Sequence, residues 1–182
     1  MLTGCALLPA SSADAAPVTG EQPAVMLAAP TSAPTTGGPT AKSSSVPPAV
    51  PDAVEQVARS FVTAYASRDA RDGQDDGFTA AGRRAARWAT GDLVRLLGEP
   101  RAGQAGAWAR LREDRTRQTA EIVSVVVPDG APDPTPSAAL VRVGYRVTAT
   151  TGTGRTRTSA DHMALRLTST SDGWRVAALP WA

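Results

Sequence analysis

Val141-Arg142-Val143-Gly144-Tyr145-Arg146-Val147 alternates apolar and polar without a break. Successive side chains of a strand point to opposite faces, so the three valines and Tyr145 share one face and Arg142, Gly144 and Arg146 share the other. One greasy face and one wet face mark an antiparallel sheet covered on a single side. Working outward, residues 151–154 (Thr-Gly-Thr-Gly) supply a hairpin turn. Residues 155–170 then alternate again, Met163, Leu165 and Leu167 against His162, Ala164 and Arg166. A turn at 171–173 leads to a last strand over 174–179. Upstream, Ile122, Val123, Val125, Val126 and Val127 make 119–127 strand-forming, and the proline-rich stretch 128–136 is a loop.

Ahead of these strands the period changes. Val54, Val57, Ala58, Phe61, Val62 and Tyr65 fall on one stripe of a helix that begins at Pro51 and Asp52, with Asp52 and Glu55 at the positive end of its dipole. Phe61 and Tyr65 read as core. A second helix is expected from Ala80 to about Ala89, capped by Thr79, with Ala81, Ala85 and Trp88 inward. A third starts at Thr90 and Asp92, with Leu93, Leu96 and Leu97 buried and a break at 98–100. Residues 101–113 give no clear period: Trp108 and Leu111 stand among arginines, and Trp108 reads either as an interior anchor or as a stacking platform. Helices followed by an antiparallel meander make an α+β domain: N-terminal helices packed on a curved antiparallel four-stranded sheet.

Composition bounds the rest. Nine of the 15 prolines fall in the first 51 of 182 residues, and residues 7–51 are otherwise mostly Ala, Ser, Thr and Gly, with sparse apolar groups and charge only at Asp14, Glu21 and Lys42. Such a stretch buries too little to offset chain-ordering entropy, so residues 1–50 are expected to be a disordered tail and 51–182 the folded domain. At the head of that tail, Leu2-Thr3-Gly4-Cys5 is lipobox-like: a small residue precedes a cysteine that would carry a lipid. A secretory leader needs an apolar stretch of about 7–15 residues before its cleavage site, and four residues precede Cys5. The two readings are therefore a lipid anchor whose leader starts further upstream, and a plain free cysteine. The first makes the protein an extracytoplasmic lipoprotein attached to the membrane.

With 19 Lys+Arg against 17 Asp+Glu the formal charge is +2, too weak for a phosphate-backbone footprint, so no nucleic acid is expected. Lys42 is the only lysine and asparagine is absent, a skew that fits a GC-rich genome. Asp69, Asp72, Asp75 and Asp76 cluster around Gly73 and Gly77. The position of a calcium loop's bidentate glutamate nevertheless holds Ala80 or Arg83, so the cluster reads as a solvated turn. With one histidine and one distant cysteine there is no metal spacing, and no metal or cofactor is expected.

The order of elements, closing on Gly173-Trp174-Arg175-Val176-Ala177, resembles the nuclear transport factor 2-like superfold, a cystatin-like cone. Within it, Phe61-Val62-Thr63-Ala64-Tyr65 and Trp88-Ala89-Thr90-Gly91-Asp92-Leu93 resemble pieces of TcpC-like conjugation proteins of actinobacteria and other Gram-positive bacteria. The similarity spans roughly residues 52–181. It implies an assembly component of a conjugative transfer or type IV secretion machine, non-enzymatic, with envelope or secretion-machine proteins as partners and self-association possible. Those proteins are usually anchored by a transmembrane helix; here Cys5 would replace it.

Two surfaces follow. Arg142, Arg146, His162 and Arg166 should lie together on the outer sheet face as a basic docking patch for an acidic partner or anionic headgroup. The alternative is a ligand-binding or isomerase/dehydratase-type cone, which would use a cavity lined by Tyr65, Trp88 and Tyr145. Its ionisable candidates are Asp161, His162 and Tyr145, and adjacent strand residues cannot both line one cavity, so His162 falls on the outer side and Asp161 on the inner.

Overall fold

The computed structural model describes residues 48–180. Cys5 and the leader up to position 47 lie outside the described residues. The elements, in order, are α1 (Asp52–Ala66), β1 (Arg68–Asp69), α2 (Phe78–Ala85), a 3-10 turn (Ala86–Trp88), α3 (Asp92–Leu97), α4 (Gln104–Glu113), β2 (Arg117–Val126), β3 (Ala138–Thr150), β4 (Thr156–Thr170) and β5 (Gly173–Ala178). All strands join one antiparallel sheet in sequential order β1 to β5. This is the expected α+β architecture, helices packed on a curved antiparallel sheet, with five strands rather than four. The extra strand is two residues long, too short to leave a period in the sequence.

The long helix α1 forms where its apolar stripe demanded. Pro51 precedes its first residue, the Pro51 carbonyl accepts from Glu55 N–H at 3.0 Å, and Asp52 and Glu55 occupy its first turn. Val54, Ala58, Phe61 and Val62 are wholly buried, and Phe61 stacks on Tyr65 at 5.9 Å between ring centres. They meet Val141, Val143, Leu165, Leu167 and Val176 from the sheet's concave face, all fully buried, and these residues form the core with Leu93 and Leu97.

Curvature comes from bulges. The β2–β3 register shifts between Ile122 and Ser124, leaving Val123 as the extra residue, and the β4–β5 register shifts between Arg166 and Leu167. Opposite the first bulge sits Gly144, where a Cβ would come 2.7 Å from Ser124 Oγ. Gly82 serves a similar close approach between α2 and α3: its Cβ would fall 1.8 Å from the Leu97 carbonyl oxygen.

Four local expectations change. The second helix begins at Phe78, not Ala80, and turns 3-10 after Ala85. Thr79 lies inside its first turn and caps nothing; its hydroxyl accepts from Arg83 at 3.0 Å instead. Leu96 is 44% exposed rather than buried, because the six-residue α3 turns only Leu93 and Leu97 inward. Residues 104–113 are helical, and Trp108 is the interior anchor: it is buried, edge-on to Phe78 with ring centres 5.3 Å apart.

Candidate functional site

The outer face of the sheet is set by register. Gly144 pairs with His162, Arg142 with Ala164, Leu140 with Arg166 and Arg146 with Ala160. Arg142 therefore lies diagonally beside both His162 and Arg166, and Arg146 diagonally beside His162, within reach of long side chains. All four are exposed. Their charge is not unopposed: Glu121 on β2 sits directly across from Arg146, with its carboxylate 3.3 Å from the guanidinium. Beside Arg142 the face turns apolar. Val126 is its β2 partner and is 38% exposed, while Val123 on the bulge is 59% exposed. Those valines read in sequence only as strand formers; which face a bulged residue takes depends on the partner strand.

On the inner side, α1 and the sheet leave a recess of about 230 Å³ at the mouth of the cone, lined by residues including Tyr65, Arg68, Gln118, Tyr145, Ser159 and Asp161. Trp88, grouped with Tyr65 and Tyr145 from sequence, is not among its lining residues; it belongs to the 3-10 turn and packs against the core. The Tyr145 hydroxyl donates to Asp161 Oδ2 at 3.3 Å. Burial, then the Asp161 charge and this hydrogen bond, push the phenol up to about 12. Asp161 itself is exposed, and its Oδ1 accepts the His162 backbone N–H at 2.7 Å.

Arg68 was not singled out in sequence, where it looks like any surface arginine. It is held across the recess by Gln118 Oε1 at 3.2 Å and by the Phe78 ring, 4.9 Å from its guanidinium carbon. Its Nε is buried without a hydrogen-bond partner, and burial lowers its pKa from the usual arginine value.

The acidic loop is an exposed turn at Asp72 and Asp76, but Asp69 and Asp75 are drawn partly inward. Asp75 Oδ2 accepts the Asp69 N–H at 2.9 Å, the Asp69 carbonyl accepts the Asp75 N–H at 2.9 Å, and each carboxylate faces an arginine. Arg84 bonds Asp75 and also donates to the Ser67 carbonyl at 2.8 Å, tying the C-terminus of α1 to the loop. Arg83 holds Asp76 at 2.7 Å, and Arg115 reaches Asp72 at 3.2 Å. Arg71 binds Asp69, and its hydrogen bond holds that carboxyl below the ordinary aspartate range. Among the described residues no group of three or more His, Cys, Asp and Glu is placed to hold a metal. Another depression, about 690 Å³, is an open trough lined by residues including Arg71, Arg115 and Arg117. Arg71 and Arg115 face the loop carboxylates just described, and Arg117 lies 4.0 Å from Asp69.

No family model and no curated protein matches the chain. Among solved structures, it is similar to the VirB8 protein of Agrobacterium tumefaciens at 14% identity, over 69% of this chain and 87% of that one, with a TM-score of 0.49. A protein provisionally assigned as an aromatic ring hydroxylase of Novosphingobium aromaticivorans is similar at 13% identity, covering 71% and 88%, with a TM-score of 0.41. A provisionally assigned calcium/calmodulin-dependent protein kinase II association domain of Xanthomonas campestris follows at 15%, 75% and 97%, with a TM-score of 0.34. Likenesses this distant share an outline with the chain and say nothing of its chemistry.

Proposed function

We propose that the domain is a non-enzymatic docking module of an envelope assembly, a component of a conjugative transfer or type IV secretion machine, held at the outer side of the membrane through Cys5. The observation that carries this reading is the division between the two sheet faces. The concave face is filled by Val54, Phe61, Val62, Leu165 and Leu167, whereas the outer face presents Arg142, Arg146, His162 and Arg166 beside the exposed Val123 and Val126. A basic rim next to exposed aliphatic side chains is the composition of a surface that meets an acidic, partly apolar protein partner. The resemblance of residues 61–65 and 88–93 to conjugation proteins names the kind of machine. Replacing Arg142 and Arg166 by Glu should abolish partner capture and transfer while circular dichroism and melting stay unchanged. Unaltered capture and transfer in that variant would remove the docking function. Anchoring has its own test, since Cys5→Ser in the full reading frame should end incorporation of a radiolabelled fatty acid.

A second reading, a small-ligand or isomerase/dehydratase-type cone, is favoured by one feature, the recess lined by Tyr145, Asp161 and Arg68. It predicts that small carboxylates raise the melting temperature of the wild type and not of Arg68→Met.

A further inference from the structure

The longest strand is incompletely covered. β4 spans Thr156–Thr170 and pairs with β3 from Thr156 to Thr168 without a register shift, but β5 reaches it only over residues 166–170. Residues 156–165 thus have no strand on their second side among the described residues, and every residue from 156 to 162 is exposed. An open edge of this length is a template for another strand, and folded proteins usually blunt such edges with proline, lysine or a bulge. This one has none of the three.

Its hydrogen-bonding groups can be assigned. The Thr151 N–H donates to the Arg155 carbonyl at 2.9 Å, which sets the first bonded pair of the hairpin. Alternation along an antiparallel ladder then turns the backbone groups of Thr156, Thr158, Ala160 and His162 toward the open side. The His162 N–H is satisfied there by its neighbour's side chain, Asp161 Oδ1, in place of a backbone carbonyl.

Arg157 and Asp161 are the charged residues on the inner face of this open segment, and they stand four residues apart. We propose that the chain pairs with a second copy of itself along this edge, antiparallel and two-fold about Ser159, so that Arg157 of each copy faces Asp161 of the other. In that register Thr158 opposes Ala160 and Thr156 opposes His162 as bonded pairs. Arg157 and Asp161 oppose one another at non-bonded sites, where side chains approach most closely. Moving the centre to Arg157 or Asp161 brings like charges together, centring on Ala160 leaves Arg157 against Met163, and centring on Thr158 leaves Arg157 against Ser159 and offers Asp161 only Arg155, which lies outside β4. In this register the second copy's turn, residues 152–154, falls opposite 164–166 and so abuts Ala178, which pairs with Arg166. Inward-pointing charges that repel unrelated strands are thus complementary to their own copy, which gives attraction and selectivity together.

The experiment is sedimentation velocity of the full chain from about 1 to 500 μM, a range that covers dissociation constants of weak strand-edge dimers. Wild type should dimerise within it. Arg157→Asp and Asp161→Arg should each raise the dissociation constant about tenfold or more, because two attractive pairs become two repulsive ones. The double variant Arg157→Asp/Asp161→Arg should return to the wild-type value, and the two single variants mixed together should form a heterodimer. Circular dichroism of each variant checks folding, and Ala160→Pro, which removes a donor only on the open side, serves if a charge variant fails to fold. A wild type monomeric throughout, or a dimer indifferent to these changes, would overturn the proposal.

Discussion

At the level of single residues, two glycines, Gly82 buried and Gly144 half-buried, make opposite demands on their neighbours. A methyl at Gly144 meets the end of a side chain, Ser124 Oγ, which can rotate away; a methyl at Gly82 meets the backbone carbonyl of Leu97, which cannot. Gly82→Ala should therefore cost about 2–3 kcal/mol and Gly144→Ala about 1 kcal/mol or less, as overpacking against rigid and yielding neighbours does. Urea midpoints give the order, and the reverse order would show that α2 and α3 are not locked at this contact. Titration offers a second check. The unfolded Tyr145 phenol loses its proton near pH 10, while the folded one holds it until about 12, so stability is full below 10 and falls as pH rises between the two. Tyr145→Phe should flatten that fall. Asp69 works in the other direction: its folded carboxyl sits below 3.8, so its contribution is present above that value and drains away as pH drops through it, a slope that Asp69→Asn should remove. Sequence alternation placed Arg142, Arg146, His162 and Arg166 on one face, since period two depends on nothing beyond the strand. It could not place Arg68 or Val123, because a packed guanidinium and a bulge are made by other segments.

At the level of elements, α1 and the strands were readable because each carries its own period, while β1 and α4 were not. β1 is two residues whose pairing with Gln118 and Arg117 comes from the far side of three helices. α4 buries only Trp108 fully, so it has no continuous apolar stripe to read. The tie between α1 and the acidic loop belongs to this scale as well. Arg84 satisfies the Ser67 carbonyl at the helix end and faces Asp75, whose side chain is 10% exposed. Arg84→Met should leave that carboxylate without its cation and cost about 1–3 kcal/mol, with earlier hydrogen exchange in the loop than in β3. Uniform exchange across loop and sheet would mean the clamp does not hold the loop separately. Phe61→Ala, at the centre of α1's buried stripe, should cost about 3–5 kcal/mol and melt the domain as a whole.

For the whole molecule, the open edge and the basic face cease to be separate features once two copies join. A two-fold axis through Ser159 keeps outer face beside outer face, so His162 of one copy comes opposite Thr156 of the other and both sets of Arg142, Arg146 and Arg166 face the same way. An acidic surface able to touch both patches would then be held by two weak contacts, and avidity should exceed single-patch affinity by about 10²-fold or more. Arg157 and Asp161 lie on the inner face, so they alter capture only through dimerisation. Arg157→Asp lowers net charge and Asp161→Arg raises it, yet both should weaken capture on a densely acidic surface, and the charge-neutral double variant should restore it. Surface-plasmon measurements at low and high immobilisation density separate the terms: the loss should appear only at high density. If capture instead tracks net charge, falling with Arg157→Asp and rising with Asp161→Arg, the two faces act independently and each copy docks alone.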